Sequence, residues 1–99
     1  MAKTVEWPVR LYLVEEDGTT KARVELRTGT TTLTGHGTAR CSPEDRDVPE
    51  IGDEIAAGRA VRDLAGQLLR VADSDLEGVG AAPPRREHRV AYGWTDAMA

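Results

Sequence analysis

The stretch VEWPVRLYLVEEDGTTKARVELR, residues 5–27, decides the fold. From Val5 to Leu13 every odd position is apolar, namely Val5, Trp7, Val9, Leu11 and Leu13, while Glu6, Pro8, Arg10 and Tyr12 alternate with them. Period two over nine residues predicts a half-buried strand, because successive side chains of a strand point to opposite faces. Pro8 has no N–H to give a ladder, so the strand starts at an edge or enters pairing late. Asp17-Gly18 supplies the chemistry of a two-residue hairpin turn. Beyond it the alternation resumes, with Thr20, Ala22, Val24 and Leu26 on one face and Lys21, Arg23, Glu25 and Arg27 on the other. The two runs make an antiparallel hairpin.

Outward from the hairpin, Thr28-Gly29 breaks the chain before TTTLTGHGTAR, residues 30–40. Here Leu33, Gly35, Gly37 and Ala39 share a face opposite Thr32, Thr34, His36, Thr38 and Arg40, which predicts a third strand. Its inward residues are small, so an element packs closely on it. That element is a helix predicted from Pro49 to about Asp75. On a helical wheel Val61, Leu64, Ala65, Leu68, Val71 and Ala72 fall in one apolar arc, with Arg59, Arg62, Asp63, Gly66, Arg70 and Asp73 opposite. Gly58 costs about 1 kcal/mol in helix propensity relative to Ala, and a close contact with Gly35 or Gly37 would explain it. The fold class is therefore α+β: a three-stranded antiparallel sheet followed by one long helix packed on one face. Residues 1–77 form the domain. Residues 78–99 read as a flexible or partner-docked tail, in which Val90, Tyr92 and Trp94 alternate as a short strand would.

Between the third strand and the helix lies CSPEDRDVPEIGDEIAAGRAV, residues 41–61, whose segment from Glu44 to Glu54 packs six carboxylates into eleven residues. A calcium loop needs oxygen ligands at fixed spacing around a tight glycine turn, and EDRDVPEIGDE lacks that arrangement. Helix initiation accounts for the cluster better. Pro49 suits the first turn, and Glu50, Asp53 and Glu54 then lie near the positive end of the helix dipole, each contributing about 0.3 to 1 kcal/mol. General acid/base work would need carboxylates in a protected cleft, and neither His36 nor His88 stands in a nucleophile motif. With no phosphate-binding loop either, no enzymatic activity, cofactor, metal or small-molecule substrate is expected.

The chain has 99 residues, no Phe and a single cysteine, Cys41. One domain of this size, with a core of Val, Leu, Ile and Ala, buries about 60 to 65% of its unfolded surface, so a homodimer is expected. One cysteine permits no internal disulfide. No apolar run is long enough to cross a bilayer and the first ten residues lack a signal-peptide core, so a cytoplasmic location is expected. The net charge of -4 is uneven, since residues 41–54 carry six carboxylates against one arginine. The alternation meanwhile directs Arg10, Lys21, Arg23, Arg27 and Arg40 away from the helix, with His36, Tyr12 and several threonines, against Glu6 and Glu25. Five cations to two anions make a candidate phosphate-binding face, and these five are the candidate RNA-binding residues. An ordinary solvated face, or one that pairs subunits, is the competing reading, to which exposed Tyr12 and Val14 add weight.

The segments EWPVRLYLVEEDGTTKARVEL and LTGHGTARCSPEDRDVPEIGDEIAAGRAVRDLAGQLL resemble a family of small actinobacterial proteins of unknown function with a double-stranded-RNA-binding-like fold. The resemblance spans about residues 5–77. Its most specific part is Gly35-x-Gly37-x-Ala39-Arg40, then Pro43 and Asp45, then Val48 to Glu54 and Arg59-Ala60. It implies the same sheet and helix, a dimer, a likeness to ribosome hibernation promoting factors, and a role in stress or dormancy. Cys41-Ser42 departs from the pattern where a basic or amide residue is expected, and the tail from Gly78 matches nothing in it. True double-stranded-RNA-binding domains set lysines at the start of their last helix to meet phosphates. Here that position is PEIGDE, whose carboxylates repel phosphate. The expected function is thus non-catalytic binding of the ribosome or another structured RNA through the basic sheet face, with a protein-interaction module using the sheet face or helix as the alternative.

Overall fold

A computed structural model of the chain describes residues 1–42, 44 and 46–80. The element order is β1 (Val9–Glu16), β2 (Thr19–Arg27), β3 (Thr32–Arg40) and α1 (Pro49–Gly78). The strands form one antiparallel sheet in the order β1-β2-β3. Asp17 and Gly18 both have positive φ, 49° and 72°, the conformation of a type I′ turn, whose twist matches that of the flanking strands. Val9 pairs with Leu26 and Glu16 with Thr19 in β1 and β2, and Thr19 pairs with Arg40 and Arg27 with Thr32 in β2 and β3. Thr28 closes the second connection with its Oγ1, which accepts from the N–H groups of Thr30 and Thr31 at 3.2 and 3.0 Å.

β1 starts only at Val9. Pro8 stands outside the strand and contributes its carbonyl alone, which accepts from Arg27 N–H at 3.1 Å. α1 begins on Pro49, with the Val48 carbonyl accepting from Ile51 N–H at 3.0 Å, so the prolyl nitrogen sits where no intrahelical partner is needed.

Two compact units divide the chain after Leu68. In the first, Ala22, Val24, Leu26 and Ala39 of the sheet and Ala56, Ala60 and Leu64 of α1 form the core, with Leu33 and Leu68 packed against it. Of the second, the described residues are the end of α1 and a turn at Val79 and Gly80. Val90, Tyr92 and Trp94, and with them most of the expected tail, lie outside the described residues.

Three expectations need correcting. Gly58 meets nothing within 4 Å; the close approach is made by Ala56 and Ala60. A Cβ at Gly37 would stand 2.5 Å from Ala60 N and closer still to the Ala56 carbonyl oxygen, and one at Gly35 would stand 2.8 Å from Leu64 N. Backbone therefore packs on backbone, and the helix is drawn onto β3. The second correction concerns the wheel: Val61 and Ala65 are exposed, because the buried face runs through Ala56, Ala60 and Leu64. The third concerns β1, whose eight residues are all exposed although Val9, Leu11 and Leu13 point to the helix side with their partners Leu26, Val24 and Ala22. Strands are spaced about 4.8 Å apart and a helix with its side chains is about 10 Å wide. One helix drawn onto β3 covers two strands and leaves the third.

Candidate functional site: the outer face of the sheet

The side of the sheet away from α1 is built in rows by the strand register. Arg10 stands beside Glu25 and Thr34, Tyr12 beside Arg23 and His36, Val14 beside Lys21 and Thr38, and Glu16 beside Thr19 and Arg40. Arg27 and Thr32 share the far row. All five expected cations are exposed and lie on this one face. Glu6 precedes β1 and is replaced on the face by Glu16, so the two carboxylates among the five cations are Glu16 and Glu25.

The middle of the face is organised around Tyr12. The Arg23 guanidinium lies 4.3 Å from the centre of the Tyr12 ring, a distance at which the negative face of the ring attracts a cation. Arg23 also forms an ion pair with Glu25 two residues along the same strand. Arg10, two residues before Tyr12 on the same strand, has its pKa raised above the ordinary arginine value, first by hydrogen bonding to Tyr12 and then by their electrostatic interaction. An aromatic ring, a guanidinium and an imidazole thus stand side by side on three adjacent strands. Lys21, Arg27 and Arg40 have no ion pair among the described residues.

Two features escape the residue pattern. The first is the edge of β3, where Arg59 Nη1 donates to the Thr38 carbonyl at 2.7 Å, Asp63 accepts from His36 N–H at 2.8 Å, and Gln67 Nε2 donates to the Thr34 carbonyl at 2.7 Å. These helix residues are four apart and stack on one side of α1. They occupy three of the backbone groups that β3 turns away from β2. Three hydrogen-bonding residues at that spacing, flanking the buried stripe of a helix that follows a threonine-rich edge strand, are the signal that would have found them.

The second is a groove of about 470 Å³ between the β1–β2 turn and the start of α1, lined among others by Glu15, Thr20, Cys41, Asp47, Ile51 and Ile55. Beside it Thr20 Oγ1 donates to Asp53 at 3.4 Å. The carboxyl of Glu15 shares a hydrogen bond with that of Asp53, which, with the charges of Asp53 and Asp47, raises the Glu15 pKa from its ordinary 4.5. Cys41 is half-buried and has its Sγ 3.7 Å from the Arg46 carbonyl oxygen. Among the described residues, no group of three or more His, Cys, Asp or Glu is placed to hold a metal ion, and no helix is long and apolar enough to cross a membrane.

Comparison with known proteins finds a match to the family described as Rv2632c-like over residues 5–85. The uncharacterized protein Mb1767 of Mycobacterium bovis is 43% identical over 79 residues, covering 80% of this chain and 84% of its own. The uncharacterized protein Rv2632c of Mycobacterium tuberculosis is 39% identical over 69 residues, covering 70% of this chain and 74% of its own. The crystal structure of Rv2632c superposes with a TM-score of 0.75 at 34% identity, covering 83% of this chain and 98% of that one.

Proposed function

This chain belongs to the Rv2632c-like family, and from that premise we propose that it is a non-catalytic binding protein whose outer sheet face engages structured RNA, with the ribosome as its target in stress or dormancy. The observation that carries the reading is the row Tyr12, Arg23 and His36, flanked by Arg10 and Lys21, on an exposed face of a chain whose net charge is negative. Flat aromatic and guanidinium groups stack on bases, and the surrounding cations neutralise phosphates. The start of α1 works against the alternative mode. Glu50 lies in its first turn, with Asp53 and Glu54 just beyond, so the helix terminus that binds phosphate in double-stranded-RNA-binding domains here repels it. Likeness to that fold and to hibernation promoting factors belongs to the proposal, and the acidic start of α1 favours the sheet as the place of contact.

Co-sedimentation with ribosomes over a salt series tests it. The chain pellets at low salt and is released as salt rises, and changing Arg23 and Arg27 together to Glu abolishes pelleting. No pelleting at low salt, or pelleting indifferent to the double reversal, contradicts the proposal.

A second reading, a protein-interaction module, draws on exposed Tyr12 and Val14, 38% and 59% accessible. It predicts that the same reversals disrupt self-association or a protein partner while RNA binding is absent throughout.

A further inference from the structure

The two edges of the sheet are unlike. On β3 one outward backbone group of each of Thr34, His36 and Thr38 is taken: the two threonine carbonyls by Gln67 and Arg59, and the His36 N–H by Asp63. On β1 the parity follows from one bond: Arg27 N–H reaches the Pro8 carbonyl, so the even residues of β1 turn their backbone groups to β2. The odd residues Val9, Leu11, Leu13 and Glu15 then turn theirs outward. No hydrogen bond among the described residues reaches these groups. The side chains of Val9, Leu11 and Leu13 are 57%, 45% and 39% exposed. An unpaired, partly apolar edge strand is a template for another strand, and proteins ordinarily blunt such an edge. Among the described residues, side chains of α1 blunt the β3 edge and none hydrogen-bonds the outward groups of β1.

We propose that the outer edge of β1 receives a second copy of this chain, strand to strand and antiparallel, about a two-fold axis at Tyr12. The sequence of β1 is complementary to itself in that arrangement. Its cation, Arg10, lies near the start and its carboxylates, Glu15 and Glu16, lie at the end. Antiparallel pairing centred on Tyr12 sets Leu11 against the second copy's Leu13 and Val9 against its Glu15. All four outward residues of each strand are then used. On the other face Arg10 lies diagonal to the second copy's Glu16, within reach of its long side chain. Pro8 before the first outward residue and the Asp17-Gly18 turn after the last bound the pairing at both ends. The exposed Val9, Leu11 and Leu13 of two copies adjoin in one apolar strip, and the two outer faces merge with a Tyr12 from each copy at the centre.

The inference rests on the dimeric expectation and not on RNA binding, so either can fail alone. The test uses the full chain, with mass measured by light scattering across a dilution series and amide hydrogen exchange read by NMR. A dimer is expected, with slow exchange at Val9, Leu11, Leu13 and Glu15. Leu11→Pro removes an N–H that β2 does not use and is expected to give a monomer with the amide of Tyr12 still protected. Arg10→Glu and Glu16→Arg, which leave the backbone alone, each raise the dissociation constant about tenfold, and the two together in one chain restore it. A wild-type monomer overturns the inference. So does a dimer indifferent to both Leu11→Pro and the charge reversals, which places the interface elsewhere, and so does slow exchange at the four odd amides in a monomer, which assigns the edge to another segment of the chain.

Discussion

Gly37 and Gly58 are the same residue type under opposite constraints. At Gly37 a Cβ would run into the backbone of Ala56 and Ala60, so Gly37→Ala pushes the helix off the sheet and costs about 2 to 4 kcal/mol. Gly58 has open space around its Cα, so Gly58→Ala gains about 0.5 to 1 kcal/mol from helix propensity and the unfolded chain's lost freedom. Urea unfolding of the two variants checks both signs, and two changes of one sign would refute the packing. Sequence alone points to close packing through the small residues of β3 but leaves the partner open. Helical periodicity identifies an apolar side without ranking Ala56 and Ala60 above Gly58, and only the depth of approach separates them. Glu15 adds a pH dependence. Its folded-state pKa is raised, chiefly by Asp53, so the stability it contributes is full below its unfolded value and is lost as pH rises through the higher folded one. Glu15→Gln therefore raises the melting temperature near neutral pH and leaves it unchanged below a pH of about 4. An equal shift at both would contradict the raised pKa of Glu15.

At the scale of elements, α1 has two tasks. Ala56, Ala60 and Leu64 bury its face on the sheet, while Arg59, Asp63 and Gln67 reach round to the edge of β3. Asp63→Ala leaves His36 N–H to water and costs about 0.5 to 1.5 kcal/mol, the net worth of one exposed hydrogen bond. The His36 amide should then exchange faster than in the wild type, whereas unchanged exchange would show that the edge is not guarded by this residue. The strands themselves were legible, since period two placed Ala22, Val24, Leu26 and Ala39 inward and the five cations outward. The exposure of β1 was not. Alternation reports which way a side chain points, and the number of strands that a helix covers decides whether anything meets it there. The edge contacts of Asp63 and Arg59 were hidden for a related reason: on a wheel they belong to the polar side, and that side borders a strand edge.

For the molecule as a whole, charge is sorted by location. Carboxylates gather at the start of α1 and beside Glu15, and cations gather on the sheet face that α1 leaves open. This sorting was readable from the alternation, but the stacking of Arg23 on Tyr12 and its pairing with Glu25 were not, because both depend on side-chain conformation. The most direct test of the central claim, that the outer sheet face is the RNA-binding surface, is the mapping of amide chemical shifts during titration with a structured RNA hairpin at low salt. The largest shifts are expected on Tyr12, Arg23 and His36 and their row neighbours, fading as salt is raised. Shifts confined to Glu50 through Glu54 at the start of α1, or no shifts at all, would contradict it.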